Sequence, residues 1–425
     1  MTGELDDSGA SMRNPARATM RDSLSARTYL SAWPTAQGLF HARPRVRQVA
    51  RQLDVALQTI LLCDRLRREH DESPVWLRTG NVGTLLIIHR DDIASILYGA
   101  PEPFTADTAV KHAGMSQYQP GAVSLCRGAQ WRRVRDLIDT VLSEAADDPA
   151  HAATARTMAR NVVDTHHEWD FRTWLELHRR LARHVVLGER AAGDQAVTDL
   201  LASMTASANR VSGRPDPSIP AFNVMIESYL RDPQPGSVAA NLVELETPQA
   251  PAAPQLAHLL TKLGDTLALN TFHALQLLAA RPPTTTGPIY MTAALQEAAR
   301  LWPTSGVLTR ESTHDTRWGE ELVPAGTQFL IVNTFGHRDR RRVDYADDFL
   351  PTEWLDGGSA QSEMLFNGFG HGPQDCPGEE LALSCGSAIL AAVTEAVEIE
   401  PPSGVLRDDG RVAYSSQALA PIRRR

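Results

Sequence analysis

The sequence predicts a mainly α-helical protein with a minor β portion, and three observations carry that prediction. Long stretches place apolar residues at helical spacing, above all from Ala129 to about Asn209 and from Pro254 to the Pro282-Pro283 stop. Strand-like runs are short and few: Val75 to Leu77, Gly83 to Ile88, Gly306 to Asp315 and Thr327 to Val332. Finally, 42% hydrophobic and 22% charged residues among 425, with 28 Gly and 27 Pro, exclude a collagen-like or wholly disordered chain and leave ample material for a core.

Taken in order, the polar first 25 residues predict a flexible tail, and residues 26–425 a single domain with a helix-rich lobe and a small β lobe. Pro44 to His70 has helical spacing (Leu53, Leu57, Ile60, Leu61). The run from Val75 to Ile88 reads as a hairpin turning at Gly80-Asn81, followed by a helix from Asp91 to Tyr98. Residues 100–128 are rich in Gly and Pro without a clean period and predict a long loop, of the kind that often carries function. Pro-rich breaks at 213–220 and 232–236 flank a short helix, Phe222 to Leu230. The 27-residue candidate helix ending at Pro282 would span about 40 Å at 1.5 Å per residue, the width of a substantial domain. Helices from Ile289 to Leu301 and from Pro377 to about Val397 complete the pattern.

Charge and cysteine usage narrow the function. Against 42 Lys and Arg stand 51 Asp and Glu, a formal net charge of −9, which argues against nucleic acid as the main partner. The basic residues are nearly all arginine; Lys111 and Lys262 are the only lysines. The four cysteines, Cys63, Cys126, Cys376 and Cys385, form no CxxC pair and no disulfide framework, so free thiols in a reducing compartment are expected. No N-terminal apolar region and no run of about 18 apolar residues is present, which predicts a soluble cytoplasmic protein without membrane attachment.

The chemistry concentrates in FNGFGHGPQDCPGEELA, residues 366–382. Gly368, Gly370, Gly372 and Gly378 permit positive φ and close backbone approach to a flat ligand. Pro377 suits the first position of a helix, which would put Cys376 at a helix N-terminus, where dipole and free N–H groups favour an anionic sulfur. Such a thiolate is what an axial ligand to haem iron requires. The plainer alternative is a buried structural cysteine. A zinc site built on Cys376 and His371 fails on ligand number.

Phe369-Gly370-x-Gly372-x-x-x-Cys376-x-Gly378 resembles the haem-binding signature of the cytochrome P450 family. Glu297-Ala-Ala-Arg300 is similar to that family's ExxR pair, Phe349-Leu-Pro-Thr-Glu-Trp354 to the segment that lies between ExxR and the cysteine, and Trp131-Arg-Arg-Val-Arg135 to its WxxxR helix. The motifs stand in family order over roughly residues 40–425. The resemblance implies the cytochrome P450 fold, haem b as cofactor and Cys376 as its iron ligand, with Phe369, Gly370 and Gly378 shaping the loop around it. It assigns Trp131, Arg135 and Arg310 to the haem propionates and Glu297 with Arg300 to a structural ion pair. Gln374 stands where the family usually has a cationic residue, and His371 is the candidate to compensate. Asp265 and Thr266 fall at the family's acid–alcohol pair for proton delivery, but Lys262-Leu263 replaces the usual Ala-Gly before it.

The implied activity is insertion of one oxygen atom from O2 into a small organic substrate, with electrons from a ferredoxin and ferredoxin reductase. By family analogy this is a tailoring step in bacterial secondary metabolism. A haem-thiolate enzyme using peroxide or catalysing coupling or rearrangement, and a non-catalytic haem binder, stay open as alternatives. Substrate selection is expected from residues 100–128 and from about Arg210 to Val238, whose mixed content (Phe104, Met115, Tyr118, Phe222, Met225, Tyr229) suggests a moderately polar small molecule.

Overall fold

The computed structural model describes residues 12–32, 49–50, 52–78, 82–208, 216–355, 366–416 and 421–424. Its N-terminal elements are β1 (Ala16–Arg17), α1 (Met20–Ala26), α2 (Val55–Glu69), β2 (Val75–Leu77), β3 (Thr84–Ile87), α3 (Arg90–Tyr98), β4 (Phe104–Thr105) and α4 (Ala109–Met115). The helical stretch follows as α5 (Gly128–Asp147), α6 (Pro149–Thr165), β5 (Glu168–Trp169), α7 (Phe171–Leu187), α8 (Gln195–Ala208), α9 (Ile219–Arg231) and α10 (Val238–Leu245). Then come α11 (Ala253–Thr261), α12 (Leu267–Ala280), α13 (Pro288–Leu301), β6 (Leu308–Ser312), β7 (Thr316–Trp318), β8 (Glu321–Val323) and β9 (Gln328–Ile331). The C-terminal part holds α14 (Asn333–Gly336), α15 (Glu379–Ala396), β10 (Ile399–Glu400) and β11 (Ile422–Arg424). Helices dominate, as the periodicity predicts.

The main sheet has the order β1-β2-β3-β9-β6-β4. Its central strands read as unbroken apolar runs because both faces are covered: Leu85 and Ile87 pack with Ile93, Ile96 and Phe329, while Leu86 and Ile88 pack with Leu62, Leu66 and Phe335. The expected hairpin is present as antiparallel β2 and β3, with Val75 opposite Leu86; its turn at residues 80–81 lies outside the described residues. Two expectations need correction. Within the presumed tail, β1 pairs in parallel with β2 and α1 begins, burying Ala26 against the sheet cluster; residues 1–11 lie outside the described residues. The presumed long loop at 100–128 contains β4, α4 and a 3-10 turn at Val123–Leu125, because β4 finds a partner in β6 that local sequence does not reveal.

The long helix expected before Pro282 forms as α11 and α12, joined without a break by a π-turn, Lys262–Thr266. Single π-turns inside α-helices are common at functional sites. Helix α7 fixes this central helix at two points. The Trp174 indole N–H donates to Thr271 Oγ1 at 2.9 Å, and His178 Nε2 lies 2.8 Å from the same hydroxyl while its Nδ1 faces the Trp174 carbonyl. Burial pushes His178 down to about 4, so the ring serves as a neutral connector. About two turns back along the central helix, Gly264 lets Arg179 Cγ approach within 3.5 Å of where a Cβ would stand.

Helix α15 runs against α6, α13 and α12. Gly386 makes the crossing close: a Cβ there would lie 2.6 Å from Leu295 Cδ2 and 3.3 Å from Leu267 Cδ1. Gly386→Val is therefore expected to destabilise the protein by about 1–3 kcal/mol through overpacking, measured as a lowered urea midpoint.

Candidate functional site

The loop leading into α15 shows why the glycines are where they are. Gly370 and Gly372 have φ of +83° and +74°, and a side chain at Gly372 would overlap the Leu97 carbonyl oxygen. These turns bring the Cys376 N–H to the Phe369 carbonyl at 2.8 Å. The helix begins at Glu379, two residues later than expected, so Pro377 sits in the entering turn instead of the first helical turn. The Gly378 N–H is directed at the Cys376 sulfur. Cys376 is exposed, yet burial pushes its thiol upward, opposed by that N–H and by the Lys262 charge. A side chain both reachable and desolvated lies on the wall of an interior recess.

Behind the loop stands the ion pair of α13. Glu297 and Arg300 are fully buried and bidentate, with Nε–Oε2 at 2.7 Å and Nη2–Oε1 at 2.8 Å. Glu297 also accepts from the Leu350 N–H and the Trp354 indole, both at 2.9 Å. Arg300 donates to the carbonyls of His337, Ala346 and Asp348 and stacks under Tyr345. Every charge-bearing atom is bonded, which is what makes so buried a pair tolerable. It clamps residues 337–354 onto α13.

Arg135 departs from expectation. It donates to both oxygens of Asp139 and, through Nη1, to the carbonyls of Pro373 (3.0 Å) and Asp375 (2.9 Å). Its Nη2 meets Asp375 Oδ1 at 2.6 Å. With two carboxylates at hand, the guanidinium pins the cysteine loop to α5. Trp131, one turn earlier on α5, is buried in the helical core. Gln374 likewise turns inward, its Oε1 accepting from the Ala106 N–H at 2.8 Å.

Arg310 on β6 is different. It is 2% exposed, its Nε has no partner among the described residues, and its remaining contacts are carbonyls of Thr309 (3.0 Å) and Gln374 (3.5 Å). Burial lowers its pKa to about 10. Nearby, Lys111 at the start of α4 is pushed down to about 7 by burial, Lys262 and Arg310. Its Nζ reaches only the Ala106 carbonyl, at 3.4 Å. Lys111 belongs to no sequence motif; the one signal that could have marked it is that the chain has just two lysines.

On the opposite wall, Asp265 is held by Arg179, with Nε–Oδ1 at 2.8 Å and Nη2–Oδ2 at 3.0 Å. Asp265 and Thr266 are half-buried at the end of the π-turn. Leu263 is buried in the helical core, while Lys262 beside it is exposed. Of the residues expected to select substrate, Phe222 is buried in the core and the Tyr229 hydroxyl donates to Asp194 at 2.8 Å; residues 209–215 lie outside the described residues.

Residues 289–411 match the family model for cytochrome P450. The structure superposes on CYP175A1, a cytochrome P450 from one strain of Thermus thermophilus, with a TM-score of 0.70 and 19% identity over 96% of this chain and 100% of that one. A six-coordinated cytochrome P450 from a second strain of the same organism gives 0.69 and 20%, over 86% and 98%. The chain thus has the cytochrome P450 fold, and its residues 289–411 match that family's model. Among curated relatives, cytochrome P450 714C3 of Oryza sativa subsp. japonica is 31% identical over 26% of this chain and 22% of its own length. A 3-beta-hydroxylase of Tanacetum parthenium is 34% identical over 27% and 24%. The chain thus matches only about a quarter of these relatives' length.

Cytochrome P450s bind haem b, and the recess of this chain fits that group on its own evidence. One wall carries a reachable sulfur with an N–H aimed at it, and one edge carries a buried guanidinium with an orphaned donor beside a half-buried lysine. Those are the donors that an iron and two carboxylates require. Arg310 and Lys111 can serve the propionates where Arg135 is already engaged and Gln374 brings no charge. His371 is half-buried, burial lowers its pKa, and its Nε2 has no partner among the described residues.

Two variants test this framework. Glu297→Gln should strand the buried Arg300 and cost about 3–5 kcal/mol, read by chemical denaturation. Gly372→Ala should cost about 1–3 kcal/mol by forcing a side chain to positive φ against Leu97, read the same way.

Proposed function

We propose that this chain is a haem-thiolate monooxygenase that inserts one oxygen atom from dioxygen into a small organic substrate. Electrons would come from a ferredoxin served by a ferredoxin reductase. The observation that carries the reading is the Cys376 sulfur at the wall of the recess, with the Gly378 N–H directed at it and an acid–alcohol pair on the facing helix. Bound haem supplies the oxygen activation and insertion.

The chain's own residues do the rest. Gly378 and the surrounding loop stabilise charge on the sulfur, Arg310 and Lys111 neutralise the carboxylates at one edge, and the Glu297–Arg300 clamp holds the wall behind the loop. Asp265 is positioned by Arg179; release from that guanidinium lets it take up a proton and hand it on beside Thr266. Arginine-rich composition and a solved relative by fold, P450 EryK in complex with erythromycin B (TM-score 0.64, 16% identity), support a tailoring role in bacterial secondary metabolism. Among the described residues no helix is long and apolar enough to cross a membrane, and we assign the protein to the cytoplasm on this reading.

The deciding experiment is the absorption of the reduced, carbon-monoxide-treated protein. A thiolate-type band that Cys376→Ser abolishes is expected; a histidine-type band in the parent protein would overturn the proposal. With a substrate identified by its perturbation of the haem spectrum, Thr266→Ala should lower product formed per reductant consumed at least ~10-fold, consistent with the loss of one proton-delivery group.

A further inference from the structure

Thr271 is fully buried and takes no part in the proposed reaction, yet both branches of its side chain are engaged. The Trp174 indole N–H donates to its hydroxyl at 2.9 Å, and His178 Nε2 lies 2.8 Å from the same oxygen. His178 Nδ1 faces the Trp174 carbonyl, which can only accept, so Nδ1 carries the proton and Nε2 is the acceptor. The hydroxyl therefore both accepts from α7 and donates to it, and its two partners are themselves fully buried. The Leu267 carbonyl is also 2.9 Å from this hydroxyl, but Nε2 has no other donor among the described residues. The methyl faces another element: Cγ2 lies 3.3 Å from where a Cβ of Gly386 would stand, against α15.

A second contact lies about two turns back along the central helix. There Arg179 Cγ and Ala182 Cβ lie 3.5 and 3.6 Å from where a Cβ of Gly264 would stand. Arg179 also holds Asp265, with Nε–Oδ1 at 2.8 Å and Nη2–Oδ2 at 3.0 Å. The two helices thus cross antiparallel, bonded at Thr271 and closest at Gly264, inside the π-turn that carries Asp265 and Thr266. A bare glycine contact limits how near α7 comes but not how far it slides or turns; directed hydrogen bonds restrict both. Arg179 follows His178 directly, so whatever fixes the imidazole fixes the start of the guanidinium side chain.

We propose that Thr271 is a positioning residue for proton delivery: its hydroxyl, held between Trp174 and His178, sets the register of α7 in which Arg179 meets Asp265. The inference rests on the haem-thiolate reading, with Asp265 and Thr266 as its acid–alcohol pair. Without the hydroxyl, a buried N–H and a buried ring nitrogen lose their partners, and a shift of α7 to recover them takes Arg179 off the carboxylate.

The test gives the haem-loaded protein NADPH, a plant-type ferredoxin and its reductase. It needs no substrate, because dioxygen uptake consumes one proton per electron whether hydrogen peroxide or water is formed. Thr271→Val keeps the shape and the methyl but not the hydroxyl; Thr271→Ser keeps the hydroxyl but not the methyl. Thr271→Val should lower uptake about tenfold, part of the loss that a missing proton-transfer group brings. It should also raise amide hydrogen exchange of residues 262–267 about tenfold, as the loss of one buried hydrogen bond would. Thr271→Ser should restore both towards the parent, whereas a packing role alone would make it the worse variant. In an Arg179→Met background, Thr271→Val should add no further loss, because the contact it acts through is gone. Trp174→Phe, which deletes one of the two bonds, should move both readouts in the same direction and decides the matter if Thr271→Val does not fold. Unchanged uptake and exchange in Thr271→Val, a greater loss in Thr271→Ser, or an equal loss with and without Arg179 each overturn the inference. A thiolate-type carbonyl band in the parent then leaves the haem-thiolate reading standing; a parent without that band sinks both.

Discussion

A cysteine sulfur held inside protein, its burial partly offset by an amide and a cation, is the constraint around which this molecule is arranged. Burial alone favours the neutral thiol, as it does at Cys63 and Cys385, both pushed up to about 12. Cys376 escapes part of that penalty through the Gly378 N–H and a facing cation, and those two influences come from different parts of the fold. The loop must therefore be rigid enough to aim an amide, and the central helix must pass at a fixed height above it. Gly370, Gly372, the Arg135–Asp375 bridge and the Glu297–Arg300 clamp serve the first need. The contacts of α7 with Thr271 and Asp265, and the Gly386 crossing, serve the second.

How much of this can be read from sequence follows from how local each feature is. The helical lobe is legible because amphipathic spacing repeats over many turns. The cysteine loop is legible because positive-φ glycines and a following proline leave few conformations open, although the helix starts two residues after the place Pro377 suggests. Glu297 and Arg300 are one turn apart and can be recognised as a pair, but their ties to Leu350 and Trp354 cannot. The failures are non-local. Arg135 is recognisable by motif, but its bridge to Asp375, 240 residues along the chain, is not. The N-terminal strand and β4 are two residues each and exist because a neighbour offers an edge.

The basic groups of the recess show the same division. Arg310 could be named in advance because it follows the ExxR helix at a recognisable distance. Lys111 lies in a segment without period, and nothing around it hints at burial. Lys262 is visible only as an oddity, a charged residue in a helix that must cross the core. What resolves it is the π-turn, which changes the helix's angular register so that Leu263 joins the core while Lys262 beside it is exposed.

The long reach of the contacts around Cys376 sets the order in which the molecule can be completed. Its loop leans on Leu97, Arg135, Leu142 and Ala299, all of which leave the ribosome well before it. Until the last helix docks, the chain before Glu379 holds half a socket, with Arg310 and Lys111 in place and nothing beneath them. Closure of that socket joins ends of the polypeptide that are far apart, a slow kind of event in a chain otherwise built from neighbouring helices. Cofactor capture is accordingly tied to the final stage of assembly, where a flat anionic molecule can act as the template on which the two halves meet.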